Sequence, residues 1–207
     1  MQSQWEEKMK EIIIATKNPG KAREFKRVFD EQEFTLKTLL DFPDFPEIRE
    51  TGTTFKENAT IKAHAVMERF NLPVIADDSG LEVRALYGQP GIYSARYAGD
   101  HNDAANNAKL LSELGGVPKE KRDARFVSTL VFANPKNEED LVVEGEVKGI
   151  IAQFPQGDDG FGYDPLFYLP ELKKTMAELT VDEKNQISHR GNAIKKLEKQ
   201  WQDWINW

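Results

Sequence analysis

Ten residues near the start of the chain, Ile12-Ile13-Ile14-Ala15-Thr16-Lys17-Asn18-Pro19-Gly20-Lys21, constrain the fold more than any other stretch. Three β-branched apolar residues run into a short polar segment, and a helical pattern follows at once. That order reads as a buried strand, a tight turn and the first turn of a helix. Asn18 suits an N-cap, and Pro19 suits the first helical position, where its missing N–H costs nothing. Such a turn aims backbone N–H groups and the positive end of a helix dipole at whatever lies above the strand, with Thr16 and Lys21 beside them. Phosphate fits a place of that kind. Taken alone, the ten residues serve as readily for an ordinary strand–helix connection with a solvated lysine, so other stretches must decide.

With 207 residues, 39% hydrophobic and 30% charged, the chain can bury a core as one domain or as two merged lobes. No apolar run approaches the ~20 residues a membrane helix needs. The segment Met1-Gln2-Ser3-Gln4-Trp5-Glu6-Glu7-Lys8 is polar and acidic, unlike a secretory signal. Cysteine is absent, so disulfide and thiolate chemistry drop out. These features lead us to expect a soluble cytoplasmic protein with no membrane partner. The net charge of −7 argues against a nucleic-acid coat, which needs a positive field, but leaves room for a small anionic ligand held by local cations.

Along the chain, Phe25, Val28 and Phe29 give Pro19 to Phe29 a helical stripe, and Phe34 to Leu39 alternates as a strand. Thr51-Gly52-Thr53-Thr54 caps a long helix marked by Phe55, Ala59, Ala63, Val66 and Phe70, ended by Asn71 and Pro73. Val74-Ile75-Ala76 reads as a short buried strand stopping at Asp77-Asp78-Ser79-Gly80, with a second strand resuming at Leu81. Ala104 to Leu114 predicts a helix, Lys119 to Arg125 a solvated connection, and Phe126–Ala133 with Leu141–Val147 a hairpin turned by Asn134 to Asn137. Val147 to Phe154 is expected to carry a further strand. Thr180-Val-Asp-Glu183 is a capping box, and Ser188 caps a last helix with Ile194, Leu197, Trp201 and Trp204 on one face. Strands alternating with helices, plus one hairpin, indicate an α/β protein: a mixed central sheet flanked by helices, with a ligand cleft at strand ends.

Several constellations could carry chemistry. Asp77 and Asp78 follow an apolar run, and buried adjacent carboxylates repel unless something positive is bound. A divalent cation such as Mg²⁺ answers that need and bridges to phosphate oxygens. If strand geometry persists, the two side chains face opposite ways and one enters the cleft; an Asp–Asp turn capping the next segment is the alternative. Glu50 before its helix matters as a second metal ligand beside Asp78. Gly160-Phe161-Gly162-Tyr163-Asp164-Pro165 sets aromatics between permissive glycines, suited to stacking on a nucleobase or equally to pinning a loop. Lys184, Ser188, His189 and Arg190 near helix starts can donate to phosphate or to a carbonyl, or can be plain surface charge. His64 and His101 read as helix-surface and loop residues. Ser79 with His189 lacks an oxyanion turn, so a serine nucleophile is rejected.

Six motifs occur in one order: Thr16-x-Asn18-x-x-Lys21, Glu50-Thr-Gly-x-Thr-Phe-x-Glu-Asn58-Ala, Ala76-Asp-Asp-Ser-Gly80, Pro90-Gly-Ile-Tyr-Ser-Ala-Arg-Tyr97, Gly160-Phe-Gly-Tyr-Asp-Pro165 and Ser188-His-Arg-Gly191. The set resembles the inosine triphosphate pyrophosphatase family from about Lys10 to about Leu197, leaving residues 1–9 as an extension ahead of one two-lobed domain over 10–207. The resemblance implies a mixed α/β fold with two lobes and the active-site cleft between them, and a homodimer. It also implies hydrolysis of XTP, ITP or dITP to the monophosphate and pyrophosphate with Mg²⁺. Carried over by position, Thr16, Lys17, Asn18, Pro19, Gly20 and Lys21 would hold the triphosphate, Asp78 would be the catalytic carboxylate, and Asp78 with Glu50 would hold the metal. Ser79, Phe161, Gly162, Tyr163, Asp164, Lys184, His189 and Arg190 would bind the nucleotide.

Physically, cleavage between the α and β phosphorus atoms needs a water in line behind the α-phosphorus and neutralised charge on the leaving pyrophosphate. Asp78, Asp77 and a metal-bound hydroxide all stand as candidate proton acceptors. A nucleotide-binding module without hydrolysis, and a pyrophosphatase acting on other modified nucleotides, are the competing functions.

Overall fold

The computed structural model describes residues 10–29, 34–99 and 102–205, without the side chains of residues 27 and 28. The expectations for residues 1–9, the Val28 side chain and His101 lie outside the described residues. In chain order the elements are β1 (Lys10–Ile14), α1 (Pro19–Phe29), β2 (Phe34–Thr38), α2 (Phe55–Phe70), β3 (Val74–Val83), α3 (Asp103–Glu113), β4 (Asp123–Ala133) and β5 (Leu141–Ile151). Two short strands, β6 (Phe167–Leu169) and β7 (Lys174–Thr175), precede α4 (Val181–Ile187), α5 (His189–Glu198) and α6 (Trp201–Trp204). One seven-stranded sheet runs β2-β1-β3-β4-β5-β6-β7. β2, β1 and β3 are parallel, joined through helices, and the rest of the sheet is antiparallel. Among the described residues no helix is long and apolar enough to cross a membrane.

The local signals place α1 and α2 as expected. Asn18 and Thr54 cap them with side-chain oxygens, and Asn71 ends α2 in the left-handed region. Four expectations fail. β3 does not stop at the acidic pair: it runs on for ten residues because β4 pairs with every one of them, from Val74↔Ala133 to Val83↔Ala124. β5 continues to Ile151 against Asp123 and Ala124, absorbing the separate strand expected after Val147. The Lys119–Arg125 connection is not all solvated, since Arg122 is buried with its guanidinium on the carbonyls of Leu114, Val117 and Ala152. The last helix breaks after Glu198, and Trp201 begins a separate turn that packs on Phe34, with ring centroids 5.2 Å apart.

Apolar packing divides this continuous sheet into two lobes. At one end Ile12, Ile14, Ile75 and Phe132 pack under α1 and α5, while Ile13, Val74, Ala76 and Val131 pack on the opposite face under α2. At the other end Leu81, Val83, Phe126 and Phe167 gather with Leu110 of α3 and Leu114 just after it. Between the lobes the strands carry a polar band, Asp77–Gly80 on β3 against Ser128 and Thr129 on β4. Polar side chains are seated at the middle of a sheet only where they have partners, and these partners are the candidate site.

Candidate functional site

The turn after β1 is tighter than its sequence implied. The Asn18 Oδ1 accepts from the backbone N–H of Gly20 at 2.8 Å and of Lys21 at 3.1 Å, and the Asn18 N–H donates to Thr16 Oγ1 at 3.1 Å. The donors expected to face an anion are therefore already occupied inside the turn. Lys17 is exposed and its Nζ donates to the Phe45 carbonyl at 2.6 Å, so it pins the following loop. Thr16 and Gly20 are buried, while Pro19 is exposed at the helix entry. Lys21 is the side chain from this turn that reaches the polar band: its Nζ lies 2.7 Å from Asp77.

Because β3 stays extended through the pair, Asp77 and Asp78 point to opposite faces. On the α1/α5 face Asp77 is saturated. Lys21 and Arg190 meet its Oδ2 at 2.7 and 3.0 Å, the Ser128 hydroxyl donates to Oδ1 at 2.6 Å, and Ser79 donates at 3.3 Å. Burial alone would raise its pKa, but Arg190 and Lys21 outweigh burial and hold the carboxyl far below the usual range. Arg190 itself is fully buried. It donates to Asp77, to Glu24 of α1 and, at 3.0 Å, to Ser79. Glu24 also takes Lys184 at 2.9 Å. Burial works to raise its pKa too, yet Arg190 and Lys184 hold it at about 2. Arg190 reaches the band because α5 lies directly on β5 at Gly145, where a Cβ would stand 2.2 Å from the His189 carbonyl.

On the α2 face Asp78 is far less satisfied. Its Oδ1 accepts from Lys62 Nζ at 3.0 Å, and Lys62 also reaches Glu50 at 2.8 Å. Its Oδ2 is buried with no hydrogen-bond partner. Burial pushes the Asp78 carboxyl above its ordinary value, and Lys62 offsets this only in part. Lys62, raised against the effect of its own burial by Asp78 and Glu50, stays a cation. Glu50 is set by the turn ahead of α2, whose Gly52 N–H donates to the buried Asn58.

The Gly160–Asp164 loop closes on the first turn. A Cβ on Gly20 would lie 2.6 Å from the Phe161 ring, so helix entry and aromatic are in contact. Lys184 Nζ sits 4.6 Å and the Arg190 guanidinium 5.9 Å from that ring. Asp164 accepts from Lys184 at 2.7 Å and from the Phe161 N–H at 2.9 Å. Tyr163 is buried and donates to the Ser94 carbonyl at 2.8 Å. His189 stacks on Phe126, its Nδ1 buried without a partner. Burial and the neighbouring Arg190 bring its pKa down to about 3, so the ring is neutral.

The structure thus gathers Lys21, Ser79, Phe161, Asp164, Lys184 and Arg190 on the Asp77 side, and Asp78 with Glu50 on the other. Lys17 stands apart. Sequence reading missed Glu24, Lys62 and Ser128. A signal existed for Lys62, which falls between Ala59, Ala63 and Val66 on the apolar stripe of α2, where an unpartnered lysine has no place. Glu24 likewise follows Lys21 by three and adjoins the core residue Phe25.

The sequence profile of the Ham1 family matches residues 12–200. A dITP/XTP pyrophosphatase of Geobacillus kaustophilus is 59% identical over 94% of this chain and 96% of its own length. One from Lactiplantibacillus plantarum is 58% identical over 93% of this chain and 95% of its own. The Staphylococcus aureus Ham1 protein superposes with a TM-score of 0.83 at 47% identity, over 95% of this chain and all of that one. Shared sequence and shared fold over nearly the whole length place the chain in one group: it belongs to the Ham1 family.

Proposed function

We propose that this chain hydrolyses non-standard purine nucleoside triphosphates, XTP, ITP and dITP, to the nucleoside monophosphate and pyrophosphate, and so keeps deaminated purines out of nucleic acids. The names of its close relatives support the substrate class. The observation that carries the chemistry is the asymmetry of the acidic pair. Asp77 is an anion neutralised on all sides, whereas Asp78 keeps a buried oxygen without a partner. A hard divalent cation fits that oxygen, with Glu50 beside it. Among the described residues no cluster of three or more His, Cys, Asp or Glu side chains is built to hold a metal, so Mg²⁺ here would depend on one or two carboxylates, water and substrate phosphates. Bound by Asp78 and Glu50, Mg²⁺ would supply charge neutralisation on the triphosphate.

The chain's own groups do the rest. Lys21 and the positive end of α1 receive the charge of the departing pyrophosphate. Asp78, whose buried Oδ2 has no hydrogen-bond partner, orients the attacking water and is better placed than Asp77, which two cations and two hydroxyls already hold, to take its proton. Phe161 offers a flat face to the base. Lys184 and the neutral His189 ring are donors that welcome a 6-oxo group and leave the 6-amino group of adenine unpaired, a mismatch that buried sites reject strongly. The family resemblance supports a homodimer, and the composition supports a cytoplasmic setting.

The test is to incubate the protein and Mg²⁺ with XTP, ITP, dITP, dUTP, GTP and ATP and to measure pyrophosphate and monophosphate. Release from the first three is expected, abolished by EDTA. Release from none of them refutes hydrolysis, orthophosphate as product moves the cut, preference for dUTP changes the substrate class, and full activity in EDTA removes the metal.

A further inference from the structure

We infer that α3 is the splint that registers the aromatic loop against the acidic strand, with Asp103 and Asn107 as positioning residues for Phe161; this rests on the reading that Phe161 meets the nucleobase. Asp103 and Asn107 stand four residues apart, one turn, and so share a face of α3. Both grip the same residue. The Gly162 N–H donates to Asp103 Oδ2 at 2.8 Å, and Asn107 Nδ2 donates to the Gly162 carbonyl at 2.9 Å. Gly162 has φ of +62°, which glycine adopts freely among several conformations, so the two bonds select this one. With Asp164 accepting from the Phe161 N–H at 2.9 Å, the backbone on both sides of the ring is fixed.

The other attachments of α3 show what the clamp is referred to. The buried Asn106 accepts from the Ala98 N–H at 2.7 Å and donates to the Ala95 carbonyl at 3.2 Å, fastening the helix to the segment around Ser94. The Ser94 hydroxyl accepts from the Leu81 N–H at 2.9 Å, three residues beyond Asp78 on the same strand, and the Ser94 carbonyl accepts from Tyr163 at 2.8 Å. A continuous set of bonds therefore runs from β3 through Ser94 and α3 to Gly162. None of these α3 side chains touches Asp77, Asp78, Lys21 or Arg190 in any hydrogen bond or ion pair described above. Loosening the clamp should weaken the hold on the base and leave the phosphate end unchanged, which is a loss of uniform binding that raises KM without lowering kcat.

The experiment compares wild type with Asp103→Ala, Asn107→Ala and Asp103→Asn. Asn at 103 removes charge but keeps an acceptor for the Gly162 N–H. Amide hydrogen exchange of the ligand-free proteins is read first. Exchange at Gly162 should quicken at least tenfold in Asp103→Ala and return toward wild type in Asp103→Asn; unchanged exchange in Asp103→Ala overturns the clamp, whatever the enzyme hydrolyses. Kinetics follow. Each alanine variant should raise KM for dITP about tenfold with kcat within twofold, while inhibition by inorganic tripolyphosphate, which has no base, stays constant. Quickened exchange with an unchanged KM overturns the positioning role, and KM rising together with the tripolyphosphate inhibition constant shows a merely structural effect. Failure of wild type to release pyrophosphate from any nucleotide sinks the functional reading alone, because the exchange result stands without it.

Discussion

The two faces of β3 at Asp77 and Asp78 use the same side chain for opposite purposes. Asp77 meets two cations and two hydroxyls, and they hold it ionised. Asp78 meets one cation, leaves an oxygen unpartnered, and resists ionisation through burial. A carboxylate held by two cations and two hydroxyls can organise its neighbours but has little left for a substrate. One that is incompletely satisfied carries a cost in the resting protein that a cation, a water or a phosphate can relieve. Placing them on adjacent residues of an extended strand puts a structural anchor and a reactive group one peptide apart yet on different faces.

Exchanging each carboxylate for its amide should break the comparison most sharply. Asp77→Asn strips charge from a site holding Lys21 and Arg190 in the interior, and removing one partner of a buried ion pair costs about 3–5 kcal/mol. Asp78→Asn removes a carboxylate that burial already disfavours, and Lys62 keeps Glu50, so stability should change by less than about 1 kcal/mol while turnover falls about 10³-fold, the scale of a lost proton acceptor. Urea midpoints and pyrophosphate release read the two effects separately. Equal losses of stability in the two variants would remove the distinction, and near-normal turnover in Asp78→Asn would remove Asp78 from the mechanism.

How far the sequence reveals this arrangement depends on which interactions specify it. The run from Ile12 to Phe29 is legible because strand, cap and helix are each set by neighbours in the chain. Opposite orientation of the pair follows from strand periodicity once β3 is known to continue. Its continuation was not legible, because two carboxylates before Ser-Gly look like a turn and only the partner strand β4, some fifty residues later, supplies the backbone bonds that override that preference. The same holds for Arg122, whose carbonyl partners lie at Leu114, Val117 and Ala152. At the site, Lys21, Asp164, Lys184 and Arg190 stand in local motifs and could be singled out, while the pairings of Glu24 and Lys62 could not, since their counter-charges come from distant segments that only the fold brings together. The motif order pointed to the base loop, but nothing local says that Asp103 and Asn107 hold it.

A smaller effect separates the neutral His189 from the charged groups around it. Unfolded, its imidazole takes a proton near pH 6.5; folded, it does so only near pH 3. The depressed folded value means stability is intact above pH 6.5 and is lost as pH falls below it, at about 1.4 kcal/mol per unit, so about 2 kcal/mol disappears between pH 6.5 and 5. Glu24 and Asp77 contribute their own losses at lower pH, where unfolded carboxylates begin to bind protons. Denaturation at each pH should show this slope in wild type and a flatter one in His189→Gln. An identical slope in both would mean that the ring is protonated in the folded protein.

The smallest effect tests whether the first turn belongs with the saturated or the open face. Asn18 occupies the Gly20 and Lys21 N–H groups, so Asn18→Ala should cost about 1 kcal/mol, the usual worth of an N-cap. Asn18→Asp accepts from the same two groups and adds a negative charge at the positive end of α1, so stability should be held or slightly raised. That charge also stands where the pyrophosphate end of a substrate is proposed to sit. The aspartate variant should therefore keep its urea midpoint and show a raised KM that falls back as salt screens the repulsion. A raised KM in the alanine variant with none in the aspartate variant would mean that the turn serves the fold alone, and that the grip on phosphate comes from Lys21 without help from the helix end.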